Sequence, residues 1–253
     1  MVRLTQFIKI MKDTIFGIHA VIEALKAKQP IDKIQINREL KADVTAEIRM
    51  LAREQNINIQ AVPLDKINRI TRKNHQGVIA LMSPIEFYKI EDLLPGLFEL
   101  GKIPFIMVLD GLTDVRNFGA IVRTAECVGV DAIVIPDKGA ARVNSDAMKT
   151  SGGALTRVPI CKVGILSGVV KFLQMSGLKV VGITEKAEES VFALDFHEPV
   201  VLVMGSEETG ISNQILKRAD HLAKIPMKGK IASLNVSVAA GVAMYEVLRQ
   251  RIL

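Results

Sequence analysis

Apolar side chains recur along this chain in two alternating rhythms, and the alternation predicts its architecture. HAVIEALKA repeats them at helical spacing, and IDKIQIN then alternates Ile with polar residues as a half-buried strand does. ADVTAEIRMLAREQN reads as a helix, INIQAVP as a strand, LDKINRITR as a short helix and GVIALMS as a strand. Residues 12–84 therefore predict a small α/β domain. Pro84 follows its last strand, and the stretch 85–103, with IEDLLPGLFELGK, predicts a linker containing a helix broken near Pro95 and Gly96.

From residue 104 the pattern changes. The strands become continuous apolar runs, PFIMVLD, DAIVIPD, VPICKV, LKVVGIT and PVVLVMG, with a shorter HLAKIPM. Between them lie the helical segments FGAIVRTAECVG, NSDAMKTSGGAL, GVVKFLQMSG and NQILKRAD, and VSVAAGVAMYEVLRQR closes the chain. Unbroken apolar strands alternating with helices mark a parallel sheet buried on both faces. The expected fold class is thus α/β, with a parallel-sheet domain over residues 104–253.

Composition narrows the class. Hydrophobic residues make up 49% and charged residues 24% of the 253, the balance of an ordinary folded protein. Arg3, Lys9, Lys12 and Asp13 interrupt the apolar start before a signal-peptide core can form, and no uncharged apolar run is long enough to span a bilayer. Met11 opens MKDTIFGIHAVIEAL and is a candidate start, the ten residues before it being an extension. Cys127 and Cys161 have no CxxC spacing, and His19, His75, His197 and His221 are scattered, so no metal site and no disulfide framework is expected. A reducing, cytoplasmic setting is the expectation.

Charge divides the chain where the pattern does. Residues 1–85 hold 14 Lys and Arg against 8 Asp and Glu, whereas residues 86–253 hold 19 of each. A basic module beside a neutral one is the electrostatic arrangement expected when one part grips phosphates and the other carries chemistry; a merely solvated surface is the plainer alternative.

In parallel sheets ligands bind beyond the carboxyl ends of the strands, which directs attention to three loops. LDGLTDVRNFGAIVRTAE places Asn117 near a helix start and Arg123 six residues on; a cap and a surface ion pair are the alternatives. VMGSEETGIS sets Glu207 and Glu208 between Gly205 and Gly210, where a carboxylate can also complement a helix dipole. IPMKGKIASLNVSVAAG carries Gly229, Ser233 and Asn235 before the terminal helix, whose Ala239, Ala240, Gly241 and Ala243 permit close packing, internally or against a second subunit. No GxGxxG or GxxxxGK[ST] occurs, which argues against a nicotinamide-dependent dehydrogenase or a nucleotide phosphate cradle.

Taken together, NFGAIVRTAE, VMGSEETGIS and IPMKGKIASLNVSVAAG resemble, in order, the three motifs of the SpoU (TrmH-like) family of RNA ribose 2′-O-methyltransferases. FGIHAVIEAL and NHQGVIA resemble that family's ribosomal-protein-like RNA-binding extension. The resemblance implies a SPOUT-type parallel α/β domain with a C-terminal trefoil knot, a homodimer, and S-adenosylmethionine as methyl donor. It implies donor contacts at Gly205, Ile225 and Leu234, backbone access at Gly229, and a further contact at Thr184. Asn117, Arg123, Glu207, Ser233 and Asn235 are the implied catalytic set, with Arg123 usually cast as the base. Arginine stays protonated in nearly all protein settings, so a bidentate clamp on an RNA phosphate suits it better, with Glu207 as proton acceptor or as orienting partner of Arg123. The implied substrate is structured RNA, a guanosine of large-subunit ribosomal RNA, with transfer RNA as the alternative. A non-catalytic RNA-binding protein of ribosome assembly is the rival from another class.

Overall fold

The computed structural model describes residues 14–55, 57–231 and 233–252. The proposed start at Met11 and the extension before it lie outside the described residues. The chain divides into two compact units, one ending at Glu86 and the other beginning at Phe87.

The first unit runs β1 (Thr14–Phe16), α1 (Ile18–Lys26), β2 (Ile31–Asn37), α2 (Ala46–Glu54), β3 (Asn58–Val62), α3 (Leu64–Asn68) and β4 (Val78–Met82). Its sheet has the order β1-β4-β2-β3, with β2 and β3 parallel and β4 antiparallel to both neighbours. Strand β4 is buried along its length and serves two faces by simple alternation. Val78, Ala80 and Met82 join the cluster built with Val21, Leu25, Ile48 and Ala52 of α1 and α2. Ile79 and Leu81 meet Ile67 of α3. Strand β1 is too short to show an alternation, and the sequence pattern does not reveal it.

The second unit contains α4 (Ile90–Glu99), β5 (Phe105–Asp110), α5 (Val115–Val128), β6 (Ala132–Pro136), α6 (Ser145–Thr150), β7 (Ile160–Val163) and α7 (Leu166–Met175). It continues with β8 (Lys179–Ile183), β9 (Glu189–Ser190), β10 (Val200–Gly205), α8 (Asn213–Leu216), β11 (His221–Lys224) and α9 (Val236–Ile252). Seven strands form one wholly parallel sheet in the order β7-β6-β5-β10-β8-β11-β9. The expected α/β class with a large parallel sheet is what the chain adopts.

The expected break near Pro95 and Gly96 is absent, because α4 is continuous through both. A proline here removes only the bond to the carbonyl four residues back, and both Pro95 and Glu91 are exposed, so water satisfies that carbonyl. What holds the helix is its apolar face: Ile90 and Leu94 are buried with Ile106, Val134 and Val201 of the sheet and Val170 and Leu173 of α7. Helix α6 is shorter than the apolar pattern predicts, since Gly152 and Gly153 both adopt positive φ just after it. No helix among the described residues is long and apolar enough to cross a membrane.

Candidate active site

The carboxyl ends of β5, β8 and β10 lie side by side, with Gly205 in register with Asp110 and Met204 with Ile183. The chain leaves β10 into a tight turn in which the Gly210 N–H donates to the Ser206 carbonyl at 2.9 Å. A β-carbon on Gly205 would collide with the backbone of Gly210 and Ile211, so only glycine lets the turn fold back over the strand end. Asp110 Oδ2 accepts from the Ser212 N–H at 2.7 Å and ties the far side of that turn to β5. Ser206 Oγ and Thr209 Oγ1 close it from within at 2.7 Å.

This turn holds Glu207 toward two other segments. Glu207 Oε1 accepts from Asn235 Nδ2 at 2.9 Å, from Asn117 Nδ2 at 3.3 Å and from the Val236 N–H at 3.3 Å. Asn235 Nδ2 also donates to Asn117 Oδ1 at 3.1 Å, which makes a closed triangle of three side chains from three loops. Each corner is fixed independently. Asp114 caps α5, its Oδ1 accepting from the Asn117 N–H at 2.7 Å, so Asn117 stands inside the first turn and is not the cap. Asn235 does cap: its Oδ1 accepts from the Ser237 N–H at 2.9 Å, while its amide nitrogen remains free for the triangle. Glu207 in turn covers the first N–H of α9, where a carboxylate also complements the helix dipole.

Behind the triangle lies a cleft of about 210 Å³. Ile183, Met204, Ile225 and Leu234 give it apolar walls; Thr184, Ser206, Thr209 and Ser233 give it hydroxyls; Glu185, Glu207 and Glu208 give it carboxylates, against one ammonium from Lys186. Apolar walls for a purine, hydroxyls for its polar edges and carboxylates for a cation fit a sulfonium nucleoside such as S-adenosylmethionine. Of the residues implied for donor contact, Thr184, Gly205, Ile225 and Leu234 line this cleft together with Ser233 and Glu207. Gly229 is not among the lining residues, and a β-carbon there would meet open space.

Arg123 stands apart. Its guanidinium is exposed, near Gly152, where an added β-carbon would lie 3.9 Å from Nε, and has no hydrogen-bond or ion-pair partner among the described residues. It lies six residues along α5 from Asn117, which turns it about 120° around the helix axis. Asp110 and Asp114 were not singled out from the sequence, although an acid three residues before Asn117 is the spacing of a helix cap. Gly119 also escaped notice: a β-carbon on it would collide with Thr150, so it sets the close approach of α5 to α6. No group of acidic, His and Cys side chains suited to a metal ion occurs among the described residues.

Comparison with known proteins places the chain in a family. A sequence model of the SpoU rRNA methylase family matches residues 104–245, and one for RNA 2′-O ribose methyltransferase substrate binding matches residues 14–88. A putative TrmH family tRNA/rRNA methyltransferase, YacO of Bacillus subtilis (strain 168), is 37% identical over 239 residues, covering 94% of this chain and 96% of its own length. The solved structure of the SpoU methyltransferase AviRb from Streptomyces viridochromogenes, in complex with AdoMet, aligns with a TM-score of 0.60 at 25% identity, over 94% of this chain and 90% of that one. A TrmH/SpoU tRNA modifying enzyme from A. aeolicus aligns with a TM-score of 0.54 at 31% identity, over 64% of this chain and 84% of its own. The chain belongs to the SpoU rRNA methylase family, the TrmH-like RNA methyltransferases that its three loops resemble.

Proposed function

We propose that the protein methylates a ribose 2′-hydroxyl of structured RNA, a guanosine of large-subunit ribosomal RNA, with S-adenosylmethionine as donor. The observation that carries this reading is the triangle of Asn117, Glu207 and Asn235 at the wall of a cleft whose chemistry suits that donor. When bound, S-adenosylmethionine supplies a methyl group on a sulfonium, a good leaving group; the protein then has to align and activate the hydroxyl.

Thr184, Gly205, Ile225 and Leu234 hold the donor in the cleft, with Gly229 in the adjoining loop, and the hydroxyl of Ser233, one of the catalytic set, lines the same cleft. The two asparagines fix the Glu207 carboxylate through Oε1, and all three of its bonds fall on that oxygen. Oε2 is therefore the oxygen that takes the ribose proton. Arg123, free of protein partners among the described residues, clamps an RNA phosphate with its planar fork and brings the ribose to the triangle. It makes no bond to Asn117, Glu207 or Asn235, and its lasting protonation favours a clamp over a base.

The same reading includes a trefoil threading of the C-terminal segment, a homodimer and a cytoplasmic setting. Support for the dimer comes from a shallow face shared by α5 and α9. There small Ala120, Thr124 and Gly241 adjoin exposed Val238 and Tyr245, the composition that lets helices of two copies approach closely.

The substrate is tested by profiling ribose methylation in cells with and without the protein. One guanosine of large-subunit RNA should lose its 2′-O-methyl group. Loss confined to transfer RNA would move the assignment to that alternative, and loss of no ribose methyl group would reject the reading.

A further inference from the structure

The first unit contains a basic loop that the active site does not use, built with more care than a solvated surface needs. Strands β2 and β3 end, and β4 begins, at one edge of the unit: Asn37 pairs with Val62, and its N–H donates to the Gly77 carbonyl at 2.7 Å. The loop from α3 to β4 lies there. His75 clasps it, Nε2 meeting Asn68 Oδ1 at 2.9 Å while Nδ1 accepts from the Gly77 N–H at 2.9 Å. With Nδ1 as acceptor, the Nε2–H donates to Asn68, so the imidazole bridges both ends of the loop. Gln76, at φ 49, turns its Oε1 to the Ile18 N–H at 3.0 Å and so supplies the cap that Gly17 cannot give α1. The loop motif NHQG is therefore a clasp.

The clasp holds Arg69, Arg72 and Lys73 outward, all exposed, with Arg38 and Lys41 on the neighbouring loop after β2. None of the five makes an ion pair among the described residues, whereas Lys26 elsewhere in the unit pairs with Glu47 at 2.9 Å. Asp65, Asn68, Arg69, Ile70, Thr71 and Arg72 border a shallow hollow there. Lys73 lies over the ring of Phe16, 5.7 Å from its centre, and Phe16 is the one Phe, Tyr or Trp between residues 14 and 86. With Phe16 covered by Lys73, the loop offers no Phe, Tyr or Trp ring for stacking unpaired bases, and unpaired guanidinium forks fit backbone phosphates.

We propose that Arg69, Arg72 and Lys73, preset by the His75–Gln76 clasp, grip the phosphate backbone of a helical segment of the RNA substrate. The proposal deepens the ribose-methyltransferase reading and takes from it only that the partner is RNA. A loop already ordered loses less entropy on binding, which is what the clasp contributes.

Two variants of the full chain that remove equal charge provide the test. Arg69→Gln/Arg72→Gln alters the loop, and Lys28→Gln/Arg53→Gln alters the opposite end of the same sheet. Affinity for transcribed large-subunit RNA is measured across about 50 to 200 mM salt, since each phosphate contact contributes roughly 0.7 to 0.9 to the slope of log affinity against log salt. The loop variant should lower that slope by about 1.5, which is about an eightfold smaller loss of affinity over the range. The control should leave the slope unchanged, Arg69→Lys/Arg72→Lys should restore it, and donor binding should be equal in all. Equal slopes for loop variant and control, with wild-type methylation intact, would overturn the proposal and leave the ribose-methyltransferase reading standing. The expected slopes without any methylation would do the reverse. Competition by polyglutamate but not by duplex RNA would assign the loop to an acidic protein and overturn it as well.

Discussion

Replacing Glu207 by glutamine separates what this carboxylate does for structure from what it does for chemistry. Its Oε1 receives three hydrogen bonds, from Asn235, Asn117 and the Val236 N–H. A glutamine carbonyl oxygen can take the same position and accept the same three donors, and only the charge assistance is lost. Bonds to charged groups contribute about 1.5–3 kcal/mol and neutral ones about 0.5–1.5. At an exposed side chain that difference comes to about 1 kcal/mol overall, or about 2–4 °C in melting temperature for a chain of this size. The chemical loss is of another order. Removing a proton acceptor costs about 10²- to 10⁴-fold in turnover, about 3–5 kcal/mol of barrier. Single-turnover methylation of saturating RNA by Glu207→Gln, with donor affinity measured by titration, checks both numbers. The expected result is a loss of at least about a hundredfold in rate with donor affinity nearly unchanged. Turnover within about threefold of wild type, against the hundredfold or more that a lost acceptor costs, would refute the assignment of Oε2 as proton acceptor and leave Glu207 a scaffold residue.

Other expectations follow from single features. Gly205→Ala should weaken donor binding and lower the melting temperature together, because the added carbon meets Gly210 and Ile211 backbone rather than a flexible side chain; titration of donor against the variant would show it. Cys161 is fully buried in β7, and that burial, with the nearby Glu91 carboxylate, pushes its thiol up to about 12. A disulfide reagent at neutral pH should therefore modify exposed Cys127 in the native protein and reach Cys161 only after unfolding. Arg249 holds the Glu246 carboxyl below its ordinary value of 4.5 through hydrogen bonds at 2.8 and 2.9 Å, with Gln250 assisting. A lowered folded-state value means stability that is present above the ordinary value and lost as pH falls through the depressed one. The melting-temperature gap between wild type and Glu246→Gln should accordingly be widest at neutral pH and close below about pH 4.5.

The sheet of the second unit was legible because parallel strands buried on both faces cannot hide: FIMVLD, AIVIP and VVLVMG are apolar without interruption. Short elements escaped the pattern for the opposite reason. Three residues in β1 and two in β9 are too few to display a period, and they pair only because a neighbouring strand presents an edge. Pro95 misled because its penalty depends on what surrounds the freed carbonyl, and local pattern does not contain that. The three loops could be found as polar departures at strand ends. Their meeting could not, since it joins residues 90 and 118 positions apart through the sheet order β5-β10-β8. Arg123, six residues on from Asn117, is turned about 120° around α5 from it and makes no bond to the triangle, which spacing alone does not reveal.

The atom that receives the methyl group distinguishes a ribose methyltransferase from a base methyltransferase. Incubating the protein with S-adenosylmethionine labelled in the methyl group and ribosomal RNA, then hydrolysing the product in alkali, identifies it directly, because a 2′-O-methyl group blocks cleavage of the adjoining phosphodiester. A ribose methyltransferase leaves the label in alkali-resistant dinucleotides, and Glu207→Gln should abolish it. Label recovered in ordinary mononucleotides, and so on a base, would contradict the ribose assignment.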